Sequence, residues 1–129
     1  MELKIRLFKL AADQGHAEAQ YYLADAYVTG TNVAKNEQVA LTWYRKAAER
    51  GYARAQYSLG MLYSKGRVVK RDDVQAYAWL ELATTTFDDE DRADRDTALR
   101  ERNAIAVRMT PAQLQQARKI VTDFKPTTR

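Results

Sequence analysis

Few residues in this chain are of a type that does covalent, redox or metal chemistry: there is one histidine and no cysteine among 129 residues. Without a thiol there is no disulfide, no thiolate metal site and no cysteine nucleophile. His16 is the single imidazole, and a catalytic base needs both an orienting partner and a cleft. It stands between Gly15 and Ala17, with no second histidine at helical spacing. No glycine-rich phosphate loop and no nucleophile motif is present. His16 is expected to be a turn residue, and the chain to be non-catalytic, with no metal site and no cofactor.

The charged residues suggest two other kinds of chemistry. Lys65, Arg67, Lys70 and Arg71 cluster in one segment, with Arg118, Lys119 and Lys125 near the end, in a chain of net charge +4. Such clusters can track phosphates, so a basic surface for nucleic acid is the alternative reading. Asp72 and Asp73 directly follow the first cluster, however, and only Tyr21, Tyr22 and Tyr57 could stack on bases. Nucleic acid is therefore the less favoured partner. The segment 88–102 is dense in Asp and Arg. Asp88 with Arg92, Asp91 with Arg95 and Asp96 with Arg100 stand at i, i+4 and predict a solvated, self-paired helix.

What must position these residues is a repeat. Leu10-Ala11-Ala12-Asp13-Gln14-Gly15-His16-Ala17-Glu18-Ala19-Gln20-Tyr21-Tyr22-Leu23 returns 36 residues later as Lys46-Ala47-Ala48-Glu49-Arg50-Gly51-Tyr52-Ala53-Arg54-Ala55-Gln56-Tyr57-Ser58-Leu59. Tyr27 and Tyr63, Gly30 and Gly66, Val33 and Val69, and Ala40 and Ala76 keep the same offset, and Trp43 reappears as Trp79. A fixed period of this length indicates stacked supersecondary units. Ala19, Leu23, Ala26 and Tyr27 form one helical stripe, ended by Gly30. Val39, Ala40, Trp43, Ala47 and Ala48 form another, ended by Gly51. Asn36 and Asp72 are suited as N-caps. Gly15 and Gly51 occupy turns that need positive φ. The alanines predict close helix crossings, and Trp43, Trp79, Tyr27 and Tyr63 the filling between units.

The pattern Ala-Ala-x-x-Gly-x-Ala-x-Ala-Gln-Tyr-x-Leu-Gly, followed by Tyr, Gly, a loop valine and then Ala-x-x-Trp, resembles the Sel-one-like repeat, a relative of the tetratricopeptide repeat. The resemblance covers roughly residues 7–84. Leu7 replaces an expected aromatic, and Ala24 stands where Gly60 fits the pattern. It implies an all-α αα-superhelix of two to three helix-turn-helix units and a protein-interaction role. Some members are linked to cell-wall chemistry as hydrolases, but those are cysteine-rich and this chain has no Cys.

The reading is a single domain over 1–129, with repeat units in 1–86 and C-terminal capping helices in 87–125. In the cap, Leu99, Ile105, Ala106 and Met109 supply one apolar side. Thr110, Pro111 and Gln113 form a capping box, and Leu114, Ala117, Ile120, Val121 and Phe124 a second stripe. A solenoid presents a concave face lined by the first helix of each unit. Its partner-contacting residues are expected at Glu18, Tyr22, Asp25 and Thr29 and their copies Arg54, Ser58, Met61 and Lys65, binding an unidentified protein or peptide. The first helix lacks the helix that should precede it, so Leu3, Leu7, Phe8 and Leu10 are expected to be partly exposed. Either the chain is a fragment of a longer array or this end pairs with another molecule, with Leu3, Leu7 and Phe8 the expected contacts of a homodimer. The apolar runs are too short to span a bilayer, and no signal peptide is recognised. The cytoplasm is thus the default compartment. An apolar fraction of 46% against 29% charged residues fits a folded domain and excludes a disordered tail.

Overall fold

The computed structural model describes residues 2–127. Seven helices run antiparallel to their neighbours: α1 (Glu2–Asp13), α2 (Ala17–Thr29), α3 (Glu37–Glu49), α4 (Ala53–Lys65), α5 (Asp73–Thr86), α6 (Arg92–Ala106) and α7 (Pro111–Asp123), with a 3-10 turn at Asp89–Asp91 before α6. Each of α1 to α5 packs against the next, and α7 folds back onto α5 rather than onto α6. This is the all-α, αα-repeat architecture that the 36-residue period implies.

The repeat is visible bond by bond. Gly15 and Gly51 both have φ of 91°, so the two-residue turns into α2 and α4 are superimposable in kind. The buried amides of Gln20 and Gln56 donate to the carbonyls of Ala12 (3.1 Å) and Ala48 (3.3 Å), tying α2 to α1 and α4 to α3. The Asn36 and Asp72 side chains accept from the amides of Val39 and Gln75, as N-caps should. Their own amides donate to the carbonyls of Tyr27 and Tyr63, closing both longer loops at the same point. In those loops Asn32 and Val68, one period apart, take φ of 63° and 70°. Asparagine tolerates the left-handed region, whereas a β-branched valine is strained there.

The core is a series of small-residue crossings sealed by aromatics. Ala12, Ala19 and Leu23 carry Trp43 and Tyr27, and Ala47, Ala48, Ala55 and Leu59 carry Trp79 and Tyr63. Gly60 lets α4 approach α5 very closely. A Cβ there would lie 2.8 Å from Cγ of Leu80 and 3.3 Å from the Ala76 carbonyl oxygen. In the first unit the equivalent contact is Ala24 against Ala40 and Tyr44. Tyr44, Tyr77 and Phe87 are the deeply buried aromatics among the described residues, and the repeat alignment did not single them out.

At the C-terminal end, Ala98, Ile105, Met109 and Ala117 join Ala76, Tyr77, Leu80 and Phe87 in one cluster. Thr110 and Gln113 make the expected reciprocal capping box at the start of α7. Two expectations are corrected. Leu99 faces solvent and Ala98 takes the buried position, because the 3-10 turn resets the helical phase that a continuous helix from Asp88 would have had. The pairs Asp88–Arg92, Asp91–Arg95 and Asp96–Arg100 are not among the ion pairs of the described residues: the turn takes Asp88 out of helical spacing with Arg92, while Asp96 and Arg100 keep that spacing inside α6 without pairing. The Asp88 side chain instead accepts from the Glu90 amide, Arg95 reaches Asp89 (3.4 Å), and Arg102 pairs with Glu81 across on α5.

Candidate protein-interaction surface

The first helices of successive units, α2 and α4, present their outward residues toward the turn that opens α6. Two adjoining hollows of about 260 and 360 Å³ lie there and share Arg54. The smaller is lined by Glu18 and Tyr22 of α2, Tyr52 of the turn before α4, Arg54 of α4, and Phe87, Asp88 and Asp91 beyond α5. The larger continues past Arg54 to Tyr21, Tyr57, Ser58, Asp94 and Thr97. An exposed guanidinium thus sits among tyrosines and carboxylates contributed by three units.

The tyrosines form a connected set. Phe8 of α1 stacks on Tyr22 with ring centres 5.7 Å apart, Tyr21 meets Tyr22 edge-on at 5.4 Å, and Tyr21 lies 5.3 Å from Tyr52 and 5.9 Å from Tyr44. Such contacts hold each ring in one orientation before any partner arrives. Burial, with the carboxylate of Asp25 nearby, raises the Tyr21 phenol above its ordinary value. Burial, with Tyr22 and Glu18, pushes Tyr52 up to about 12. Burial, with Glu101 and Asp94, raises Tyr57. All three rings therefore stay neutral hydrogen-bonding groups throughout the physiological range.

The residues expected to contact a partner are divided among three places. Glu18, Tyr22 and Arg54 meet in the hollow just described, and Ser58 borders its continuation. Asp25 and Thr29 belong to a furrow between α1 and α2 that also contains Lys4, Ile5 and Phe8. Asp25 is engaged internally, accepting from the Tyr44 hydroxyl, and the Thr29 hydroxyl donates to the Asp25 carbonyl oxygen. Met61 and Lys65 line a cleft of about 340 Å³ with Glu37, Tyr44, Arg67 and Val68. Met61 also packs against the C-terminal core. Sequence reasoning did not assign Tyr52, Asp88, Asp91 or Asp94 to the surface, and it considered Tyr21 and Tyr57 only as stacking rings. The register of Tyr21 with Tyr57 was a usable signal. The approach of the α6 turn to α2 was not, because it is a contact between residues far apart in the chain.

The other chemical readings have less to stand on. His16 is exposed at the start of α2 and caps nothing with its side chain. Among the described residues no group of three or more His, Cys, Asp or Glu is placed to hold a metal ion. The basic loop is partly paired: Arg67 meets Glu37 at 2.9 Å, and Arg71 and Arg108 share Asp73, while Lys65 and Lys70 are in none of the ion pairs of the described residues. Lys119 pairs with Asp123. Among the described residues no helix is long and apolar enough to cross a membrane. On α1, Leu3, Leu7 and Leu10 are 66%, 57% and 59% exposed, while Phe8 turns inward onto Tyr22.

Comparison with known proteins supports the repeat architecture. The Sel1 repeat model matches residues 5–16, 17–52 and 53–85. The crystal structure of a protective antigen from uropathogenic Escherichia coli strains, which displays an SLR fold, superposes with a TM-score of 0.81 at 38% identity, covering 93% of this chain and 24% of that one. A Sel1 repeat protein from Oxalobacter formigenes superposes with a TM-score of 0.66 at 35% identity, covering 73% of this chain and 38% of that one. The chain thus spans well under half the length of either relative. No curated protein matches it. Proteins built of these repeats generally mediate protein–protein interaction. With its repeats matched across residues 5–85 and its helices superposing on solved members, this chain belongs to the Sel1 repeat family.

Proposed function

We propose that this chain is a non-catalytic scaffold that binds a protein or peptide segment on the concave face formed by α2, α4 and the start of α6. The observation that carries the reading is Arg54, exposed at the junction of two hollows and bordered by Tyr21, Tyr22, Tyr52 and Tyr57. Arginine and tyrosine dominate interface energetics because they bury much area and lose little conformational freedom when already fixed by neighbours. Glu18, Tyr22 and Ser58 share the face with Arg54. Asp25 and Thr29 on one side, and Met61 and Lys65 on the other, lie where a longer segment would run on. Capture of partners from a lysate by wild-type chain and by Arg54→Glu tests this. The variant should retain helicity and unfolding midpoint and lose about tenfold or more in affinity for the captured protein, roughly 1.4 kcal/mol. Unchanged affinity would remove Arg54 and the face around it.

A second surface has its own observation, the exposed stripe Leu3, Leu7 and Leu10 on α1 at i, i+4, i+7. A helix seated on α1 as α2 sits on α3 would meet Lys4, where Ala40 and Ala76 are buried. We propose that this stripe pairs with the same stripe of a second copy, an arrangement in which Lys4 lies at the margin. Light scattering over a concentration series should show a dimer for the wild type and a monomer for Leu3→Gln/Leu7→Gln. A wild-type monomer at all concentrations would dismiss the pairing.

A further inference from the structure

The groove around Arg54 carries more information than its aromatic content. Its wall residues include four carboxylates, Glu18, Asp88, Asp91 and Asp94, against the single guanidinium of Arg54, although the chain as a whole is net positive. None of the four takes part in the ion pairs of the described residues, which engage Glu37, Asp73, Glu81, Asp89 and Asp123 instead. Asp88 and Asp91 adjoin each other in the smaller hollow, with Asp94 nearby, and desolvation together with the Asp88 carboxylate holds Asp91 above its ordinary value. Three carboxylates against the one guanidinium of Arg54 in the smaller hollow leave negative potential that an incoming positive group would neutralise. Tyr22 and Tyr52 line the same hollow, and the faces of phenol rings attract cations. No three of the described acids converge tightly enough for a metal ion, so the spacing suits a larger organic cation.

On the reading that this face binds a protein segment, we propose that the segment is basic and that one of its lysine or arginine side chains enters the hollow between Tyr22 and Tyr52 toward Glu18, Asp88 and Asp91. The aliphatic stem of that side chain packs on the rings while its charged head meets the carboxylates, the arrangement in which a long cationic side chain buries the most apolar area. Arg54 lines this hollow as well and continues beside Asp94 into the larger one. Its guanidinium stands at the junction of the two, where an uncharged or acidic residue of the same segment would follow the cation.

The test uses the full chain with labelled tetralysine and tetraglutamate peptides as probes, read by fluorescence polarisation and by the ring signals of the tyrosines in NMR. Tetralysine is expected to shift the Tyr22 and Tyr52 rings and to bind about tenfold more weakly to Asp88→Asn/Asp91→Asn. Asparagine at position 88 can still accept from the Glu90 amide, so the turn is retained. Glu18→Gln, on an exposed helical position, provides a second variant in which affinity should also fall. Tetralysine affinity unchanged in both variants overturns the proposal. If tetraglutamate shifts the rings instead and Arg54→Glu abolishes its binding, the basic partner is wrong while the groove remains a binding face. If neither peptide moves Tyr21, Tyr22, Tyr52 or Tyr57, both this inference and the concave-face reading fail.

Discussion

The two complete units, 17–52 and 53–85, solve one packing problem with different residues. In the second, Gly60 lies under the branched Leu80 with no room for a methyl group. In the first, Ala24 is accommodated because the opposing residue is the flat ring of Tyr44, whose hydroxyl reaches Asp25. The first unit thereby gives up a purely apolar contact for a buried polar link and loses nothing in fold. Small-residue positions in this array are therefore set by the partner across the crossing and not by the repeat pattern alone. On the outward side the same two units differ in charge, Glu18, Tyr22 and Asp25 against Arg54, Ser58 and Met61, which keeps the scaffold common and makes the surface individual.

The largest effect that would sharpen this comparison is expected from Gly60→Ala. Overpacking against Leu80 outweighs the gain in helix propensity, for a net loss of about 2 kcal/mol in urea unfolding. Adding Leu80→Tyr would recreate the pair found in the first unit and should recover about half of that loss. A double mutant no better than the sum of the singles would show that the crossings differ for another reason. Next in size is Val68→Asn, which copies Asn32 into the strained loop position and should raise stability by about 1 kcal/mol. No gain would mean that the valine side chain contributes packing to the cleft it lines.

The smallest effect is the response to alkaline pH, where the units should part. Burial, followed by the hydrogen bond to Asp25 and the charge of that carboxylate, raises the Tyr44 phenol well above its ordinary value, and Tyr52 is pushed up to about 12. A phenol whose folded value exceeds its unfolded one contributes stability below about pH 10 and loses it as pH rises through the folded value. Unfolding free energy should thus decline above about pH 10, and Tyr44→Phe should flatten that slope. Leu80 holds the corresponding place in the second unit, so the loss from this position is confined to the first, and the second contributes only through the raised phenol of Tyr57. An unaltered slope in the Tyr44→Phe variant would place the titration elsewhere.

The period of 36, the turns at Gly15 and Gly51, the caps at Asn36, Asp72 and Thr110 and the helical stripes were all legible in the sequence. Each depends on residues within one turn or one repeat of each other, where spacing alone fixes the geometry. The apolar stripe of Leu3, Leu7 and Leu10 on α1 was legible too, from its i, i+4, i+7 spacing. Beyond that range the sequence stopped deciding. Asp88, Asp91 and Asp94 read locally as members of a self-paired helix, yet the 3-10 turn at Asp89–Asp91 breaks the i, i+4 spacing and leaves them beside Glu18, Tyr52 and Arg54. Tyr44 and Asp25, nineteen residues apart, became a buried pair only because α3 lies against α2. Local periodicity determines which elements form and how consecutive ones fold back. The side chains that share a groove are decided by how far each helix turns on its neighbour, a sum over many close contacts that no single spacing encodes.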